Sequence, residues 1–253
     1  MPHTLSSSAS RPVKIMSGLK VQLSELGQVD GSARVSIGNT VVLVSAAGPI
    51  EAKPRQELPT QASLEIVVRP SRGVSSTREK VLEDLLRSVL QSVIVRYRYP
   101  RQLIQIVVQF LTTDVDREGS IVVSGDTAAS GGAFTSNELS AAFNACYFAL
   151  IDANVALYNS FASVSVAIDN EGQIIESPTL KQLQDSSSHH VVCFDIRDKK
   201  AHKILLVESD GSFSEEQLFR VIELASSSCQ KIHKTIQRPL IESKVKQDFI
   251  WSN

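Results

Sequence analysis

The chain has 253 residues, 42% of them hydrophobic, with 26 basic and 27 acidic side chains and a formal net charge of −1. That length can bury a substantial core, as one large domain or two small ones. The near-neutral balance excludes a histone-like or tail-driven nucleic-acid binder, so any polyanion contact has to be local.

The first residues, MPHTLSSSASRPVK, are Ser-rich and lack the apolar run of a signal peptide; residues 1–17 read as a disordered arm. No stretch approaches the ~20 apolar residues that span a bilayer, and the chain reads as soluble and intracellular. Cys146, Cys193 and Cys229 are odd in number and widely spaced. They fit neither a disulfide framework nor a zinc motif, and suit a reducing compartment.

Leu19 to Leu26 suggests a short strand, and Ala33, Val35 and Ile37 alternate up to a Gly38-Asn39 hairpin turn. The return strand, Thr40 to Ala47, is nearly all apolar or small and is expected to be buried on both faces, with Gly48-Pro49 ending it. After a polar loop, Ala62, Leu64, Ile66 and Val68 alternate with Ser63, Glu65, Val67 and Arg69. Ser76-Thr77-Arg78-Glu79 is a capping box. Behind it the doublets Val81/Leu82, Leu85/Leu86, Val89/Leu90 and Val93/Ile94 make one apolar helix face, with Lys80, Glu83, Asp84, Arg87 and Gln91 opposite. Pro100 ends that element.

From Arg69 to Arg101 there are eight basic and three acidic residues, a net +5 inside a chain of −1. Arg69, Arg72, Arg78, Lys80 and Arg87, with Arg96, Arg98 and Arg101, are therefore candidate anion-binding residues, since guanidinium forks match phosphate oxygens in pairs. Composition leaves the alternative open: a solvated helix face with ordinary surface arginines.

Leu103 to Leu111 is a further strand with Ile104, Ile106, Val108 and Phe110 inward. Residues 112–134 turn small and polar and read as a flexible insertion, with Ile121-Val122-Val123 a candidate short strand. Thr135-Ser136-Asn137-Glu138 is a second capping box. The following Leu139 to Ile151 is apolar nearly all round, which predicts a buried helix whose alanines allow close packing. Phe161 to Ile168 is a strand that turns through Asp169–Gly172 into Gln173 to Ile175, and a short helix follows Pro178. His190 to Ile196 and His202 to Val207 form a hairpin around Asp198-Lys199-Lys200. His189 and His190, neighbours on a strand, point to opposite faces; a metal site there is disfavoured and edge or surface positions are expected. The last helix starts at Ser214, with Gln217 completing the cap and Phe213 and Leu218 as a staple. Pro239 is expected to stop it, leaving 240–253 as a charged tail. The order implies one α+β domain over 18–239, with mixed sheets and buried central helices.

The segments GPIEAKPRQELPTQASLEIVVRP and STREKVLEDLLRSVL resemble the ring subunits of the eukaryotic RNA exosome, members of the RNase PH family. The resemblance runs from about Gly18 to Ala225. It implies an RNase PH-like fold (ribosomal protein S5 domain 2-like) and a place in a hetero-hexameric ring of RNase PH-like subunits that carries cap subunits and threads single-stranded RNA. Nucleus, nucleolus and cytoplasm are the implied compartments, without membrane, metal or cofactor. Active members degrade RNA from its 3′ end by phosphorolysis, holding phosphate with the arginine of a G-T-R-T motif. The matching residues here are Asn137, Glu138, Leu139 and Ser140, so a leucine replaces that arginine. The family's metal-binding carboxylates match Ser177, Gln182, Leu183 and His189. The resemblance thus implies lost catalysis beside retained RNA contacts, with Arg87 near bound RNA and Arg69, Arg72 and Arg78 facing the channel. An active exoribonuclease and an adaptor for protein cofactors stay open as alternatives.

Overall fold

Period-two hydrophobic alternation builds two sheets, and the chain then fills the space between them with a helix that has no polar face. The computed structural model describes residues 18–113 and 136–248. The first sheet holds β1 (Lys20–Leu23), β2 (Gly31–Ile37), β3 (Thr40–Glu51), β4 (Ser63–Arg69) and β5 (Gln102–Thr112). Its order is β1-β2-β3-β5-β4, antiparallel except for the parallel β4–β5 pair. Helix α1 (Thr77–Val93) is the crossover between those two strands. The second sheet is antiparallel, in the order β7-β6-β8-β9: β6 (Ser160–Asp169), β7 (Ile174–Glu176), β8 (Ser186–Arg197) and β9 (Lys200–Gly211). A short helix, α3 (Leu180–Asp185), links β7 to β8.

Helix α2 (Ser136–Asp152) packs on β2 and β3 of one sheet and on β6 and β8 of the other. Its Ala141, Ala142, Ala145 and Ala149 are all buried, as close approach on both sides requires. Gly31 serves the same end: a Cβ there would lie 2.2 Å from the Ala153 nitrogen. Helix α4 (Glu215–Ile232) covers the far face of the second sheet. Phe161 of β6 meets Tyr147 of α2 edge-on at 5.2 Å, while the next carbonyl, Ala162, accepts from the Cys229 thiol of α4 at 3.4 Å. With cover on both sides, every residue from Phe161 to Ile168 is buried.

Burial in the first sheet is one-sided. In β3, Thr40, Val42, Val44 and Ala46 are buried, but Val41, Leu43, Ser45 and Ala47 are only half-buried. The expectation of two covered faces fails because both helices of this half lie on one side. Nor does β3 stop at Gly48-Pro49; its register with β5 shifts between Ala47 and Ile50, and pairing resumes to Glu51. In α1, Leu82, Leu86, Val89, Leu90 and Val93 face the core, whereas Val81 is 53% exposed.

The predicted capping boxes at Ser76/Glu79 and Ser214/Gln217 are both formed. The one at Thr135 lies outside the described residues, as do the arm and the Ile121–Val123 strand, while Thr112 closes β5. Pro239 does not end the last helix. After α4 a π turn, His233–Gln237, leads into α5 (Arg238–Asp248), with Arg238 N–H bonded to His233 O. The wide turn places Pro239 in the first turn of α5, where its missing N–H does no harm. Leu240 and Ile241 pack on the core. Lys244 reaches Asp152 at 3.0 Å. That carboxylate also accepts from Ser24 Oγ (2.8 Å) and Ser32 N–H (2.9 Å), which offsets the poor placement of an acid at a helix C-terminus.

Candidate nucleic-acid interface

Of Arg69, Arg72, Arg78, Lys80 and Arg87, the first two have no side-chain partner among the described residues and the other three are engaged within the fold. Arg69 closes β4 and Arg72 lies in the turn that follows; both are exposed. Gly73 carries the turn at φ 80°, and Val74 at its tip is 91% exposed. The turn is tied down by Ser75 Oγ to Val68 O (3.2 Å) and Gln109 Nε2 to Pro70 O (2.9 Å). It presents two guanidinium groups on an anchored loop.

Arg78, in the first turn of α1, instead points inward. Its Nη2 donates to Glu138 Oε2 at 2.5 Å, with side-chain exposures of 28% and 4%. Its Nη1 lies 3.9 Å from Glu79. Burial alone would raise the Glu79 carboxyl, but donation from the Ser76 hydroxyl and backbone N–H, with Arg78 beside it, holds it below the usual range.

Lys80 is exposed but donates to Glu83 at 2.7 Å. Glu83, placed by periodicity on the polar side, is buried because its other oxygen accepts the Val68 N–H at 3.0 Å. Arg87 donates to Leu64 O at 3.4 Å and lies 4.0 Å from Asp84. Arg96 Nε donates to Ala62 O at 2.9 Å, and Ala62 N–H donates to Arg96 O at 2.9 Å. β4 is an edge strand, so these polar side chains satisfy backbone groups that a neighbouring strand would otherwise fill.

The two segments matched to the family's catalytic motifs do converge. Asn137 Nδ2 donates to Pro178 O at 2.7 Å and its Oδ1 accepts from Ser165 Oγ at 2.7 Å, joining the start of α2 to β6 and to the β7–α3 connection. Leu139 and His189 line one depression of about 220 Å³ together with Ser136, Glu208 and Asp210. His189 Nε2 lies 3.8 Å from Asp210. The lining contains no Arg or Lys, and its two carboxylates come from alternate residues of β9. Gln182 completes the Thr179 capping box and Leu183 is core. No cluster of three or more His, Cys, Asp or Glu suited to a metal ion occurs among the described residues.

His190 corrects the sequence expectation. It is fully buried, with its ring nitrogens 3.1 Å from Ser188 Oγ and 2.8 Å from Ser209 Oγ, and its ring edge-on to Phe213. Burial, with His189 adjacent, lowers its pKa to about 4. The cysteines are buried and free; burial pushes the Cys146 and Cys229 thiols up to about 12. They are unsuited to nucleophilic chemistry.

The sequence pattern of the 3′ exoribonuclease family matches along most of the chain, domain 1 over residues 16–156 and domain 2 over 159–228. The chain belongs to this family, also called RNase PH. Among its relatives, it is similar to the exosome complex component RRP46 of Saccharomyces cerevisiae, 43% identical over 87% of this chain and 94% of that protein. Exosome complex component rrp46 of Schizosaccharomyces pombe is 27% identical over 88% and 89% of the two chains. The crystal structure of rice (Oryza sativa) Rrp46 superposes with a TM-score of 0.72 at 26% identity, covering 88% of this chain and 94% of that one.

Proposed function

We propose that this chain is a non-catalytic RNase PH-like subunit of an exosome core ring. There it sits beside other RNase PH-like subunits and under cap subunits, and helps guide single-stranded RNA during 3′–5′ processing and degradation, including that of ribosomal RNA. Its compartments are the nucleus, nucleolus and cytoplasm. The observation that carries this reading is the Arg78–Glu138 pair. In the position matched to a phosphate-binding motif, a fixed carboxylate already takes up an arginine's charge, and the next residue is a buried leucine. A phosphate entering the depression beside Leu139 would meet the carboxylates of Glu208 and Asp210, with no Arg or Lys in the lining to hold it. Arg69 and Arg72 are the RNA contacts that fit this role; Arg78, Lys80 and Arg87 act within the fold.

The test has two arms. Pure protein incubated with RNA, phosphate and magnesium is expected to release no nucleoside diphosphate; release by protein free of contaminating nuclease overturns the non-catalytic assignment. In the assembled complex, Arg69→Glu with Arg72→Glu is expected to reduce RNA affinity and the log-affinity versus log-salt slope, by roughly 0.7 per lost phosphate contact. An unchanged slope removes the turn from the RNA path.

A further inference from the structure

The second cationic region of this molecule is assembled from two segments well apart in the sequence. Residues 197–203 and 224–241 together hold seven Lys or Arg and one Asp, in a chain of net charge −1. The fold brings the two segments together: the β8–β9 turn lies against the end of α4 and the π turn. Lys199, Lys231, Lys234 and Arg238, with His233, line a concave surface of about 600 Å³ that contains no carboxylate. Asp198 at the turn's tip pairs with Arg197, outside that lining. Arg238 also pairs with Glu242 at 3.0 Å, but Lys199, Lys231 and Lys234 make no ion pair among the described residues.

The surface is held open from beneath. Gln237, fully buried in the π turn, donates to Phe161 O at 2.7 Å and lies 2.9 Å from His233 Nδ1. Ile236 is buried beside it, so Lys234 and Arg238 are left facing outward. Asp198 and Lys199 adopt φ of 51° and 68° in a two-residue hairpin, which aims Lys199 from a tight turn rather than a loose loop. Lys231, Lys234 and Arg238 follow one another at three and four residues along one helical path, a stripe of roughly 10 Å at 1.5 Å per residue.

We propose that this surface binds the phosphodiester backbone of single-stranded RNA, as a second contact separate from the Arg69–Arg72 turn. The inference rests on the proposed role of the chain in an RNA-handling complex. Its chemistry favours nucleic acid over an acidic protein segment. The two remaining lining residues are Ser227 and Gln230, so no apolar residue lines the hollow. A docked peptide draws most of its affinity from buried apolar or aromatic anchors. A sugar–phosphate backbone needs cations and uncharged hydrogen-bond donors, and these are what the surface offers.

The experiment compares three full-length forms in the assembled complex, titrated with poly(U) RNA over a range of salt. The forms are the unaltered chain, the turn variant Arg69→Glu/Arg72→Glu, and the patch variant Lys199→Glu/Lys231→Glu/Lys234→Glu. The patch variant is expected to lower the magnitude of the salt slope by about 2, at roughly 0.7 for each phosphate contact. Matching melting temperatures would confirm that these exposed changes leave the fold intact. If the turn variant loses slope and the patch variant does not, this proposal fails while the RNA-guiding role stands. If neither variant changes the slope, both fail. Poly-glutamate serves as the contrary probe: if it binds the unaltered complex through the three lysines while poly(U) is indifferent to them, the surface is a protein-docking site and the proposal is overturned. Should the patch variant prove unstable, photocrosslinking of 4-thiouridine RNA to the unaltered complex decides instead. Adducts on peptides 197–203 or 227–238 support the site, and their absence with adducts present elsewhere refutes it.

Discussion

Two cationic regions differ in what the fold does with their charge. The stretch from Arg69 to Arg101 is dense in arginine along the chain, yet Arg78 is paired with Glu138, Lys80 with Glu83, and Arg87 is turned to a strand edge. The region around Lys231 gathers lysines from two distant segments and leaves them without an ion pair among the described residues. Charge counted along a chain is therefore a poor measure of charge presented at a surface. What decides is whether carboxylates from other elements arrive at the same place.

Arg78 is where the two regions differ most. Glu138→Gln leaves the partly buried Arg78 guanidinium only the more distant Glu79 carboxylate and is expected to cost about 3 kcal/mol of unfolding free energy, read as a lower urea midpoint at unchanged m-value. Combining it with Arg78→Met should recover most of that loss, because no unpaired charge remains. If Glu138→Gln is neutral, Arg78 is a solvated arginine, and its removal from the candidate RNA contacts is wrong.

A second prediction concerns His190. Its folded pKa of about 4 lies below the 6.5 of an unfolded chain, so the unfolded state takes up the proton first. The stability tied to the neutral ring is complete above pH 6.5, falls as pH drops through that window, and is fully lost below 4. The amplitude is roughly 3 kcal/mol. Chemical denaturation of the parent and of His190→Gln at several pH values isolates this part; parallel curves for the two proteins would refute it.

Smaller effects follow. Asp152→Ala removes the acceptor for Ser24, Ser32 and Lys244 and strands the buried Ser32 N–H, at about 2 kcal/mol. Truncating the chain after Gln237 should cost a comparable amount, since Lys244 is then lost together with the packing of Leu240 and Ile241. Lys231→Ala and Lys234→Ala are expected to move stability by less than about 0.5 kcal/mol. A larger loss would mean that these lysines are paired in the fold after all.

Much of the architecture was legible in the sequence because it is local. Alternation marked the strands, and the serine caps at 76 and 214 marked where helices begin. The uniformly apolar run after Leu139 marked the helix between the sheets. What sequence reading missed depends on residues far apart. His190 is buried because Ser188, Ser209 and Phe213 surround it. Glu83 turns inward because β4 has an open edge that one helix face happens to meet. Pro239 is passed because a π turn, which leaves no signature in periodicity, precedes it. In the candidate site the sequence showed which residues carry charge, but not which of them would find partners. Glu208 and Asp210, two apart on β9, lie beyond the His202–Val207 strand that alternation marks, so nothing in the sequence pointed to them.

The edge of β4 has a consequence for the chain outside any assembly. Glu83, Arg87 and Arg96 already bond its Val68, Leu64 and Ala62 backbone groups, and Ser75 takes the Val68 carbonyl. A strand edge partly bonded to its own crossover is a poorer template for a foreign strand, so α1 acts as a guard against fibrillar aggregation during the interval between synthesis and incorporation. Substitutions at Arg87 would then be felt first as insolubility of the newly made chain, before any effect on RNA.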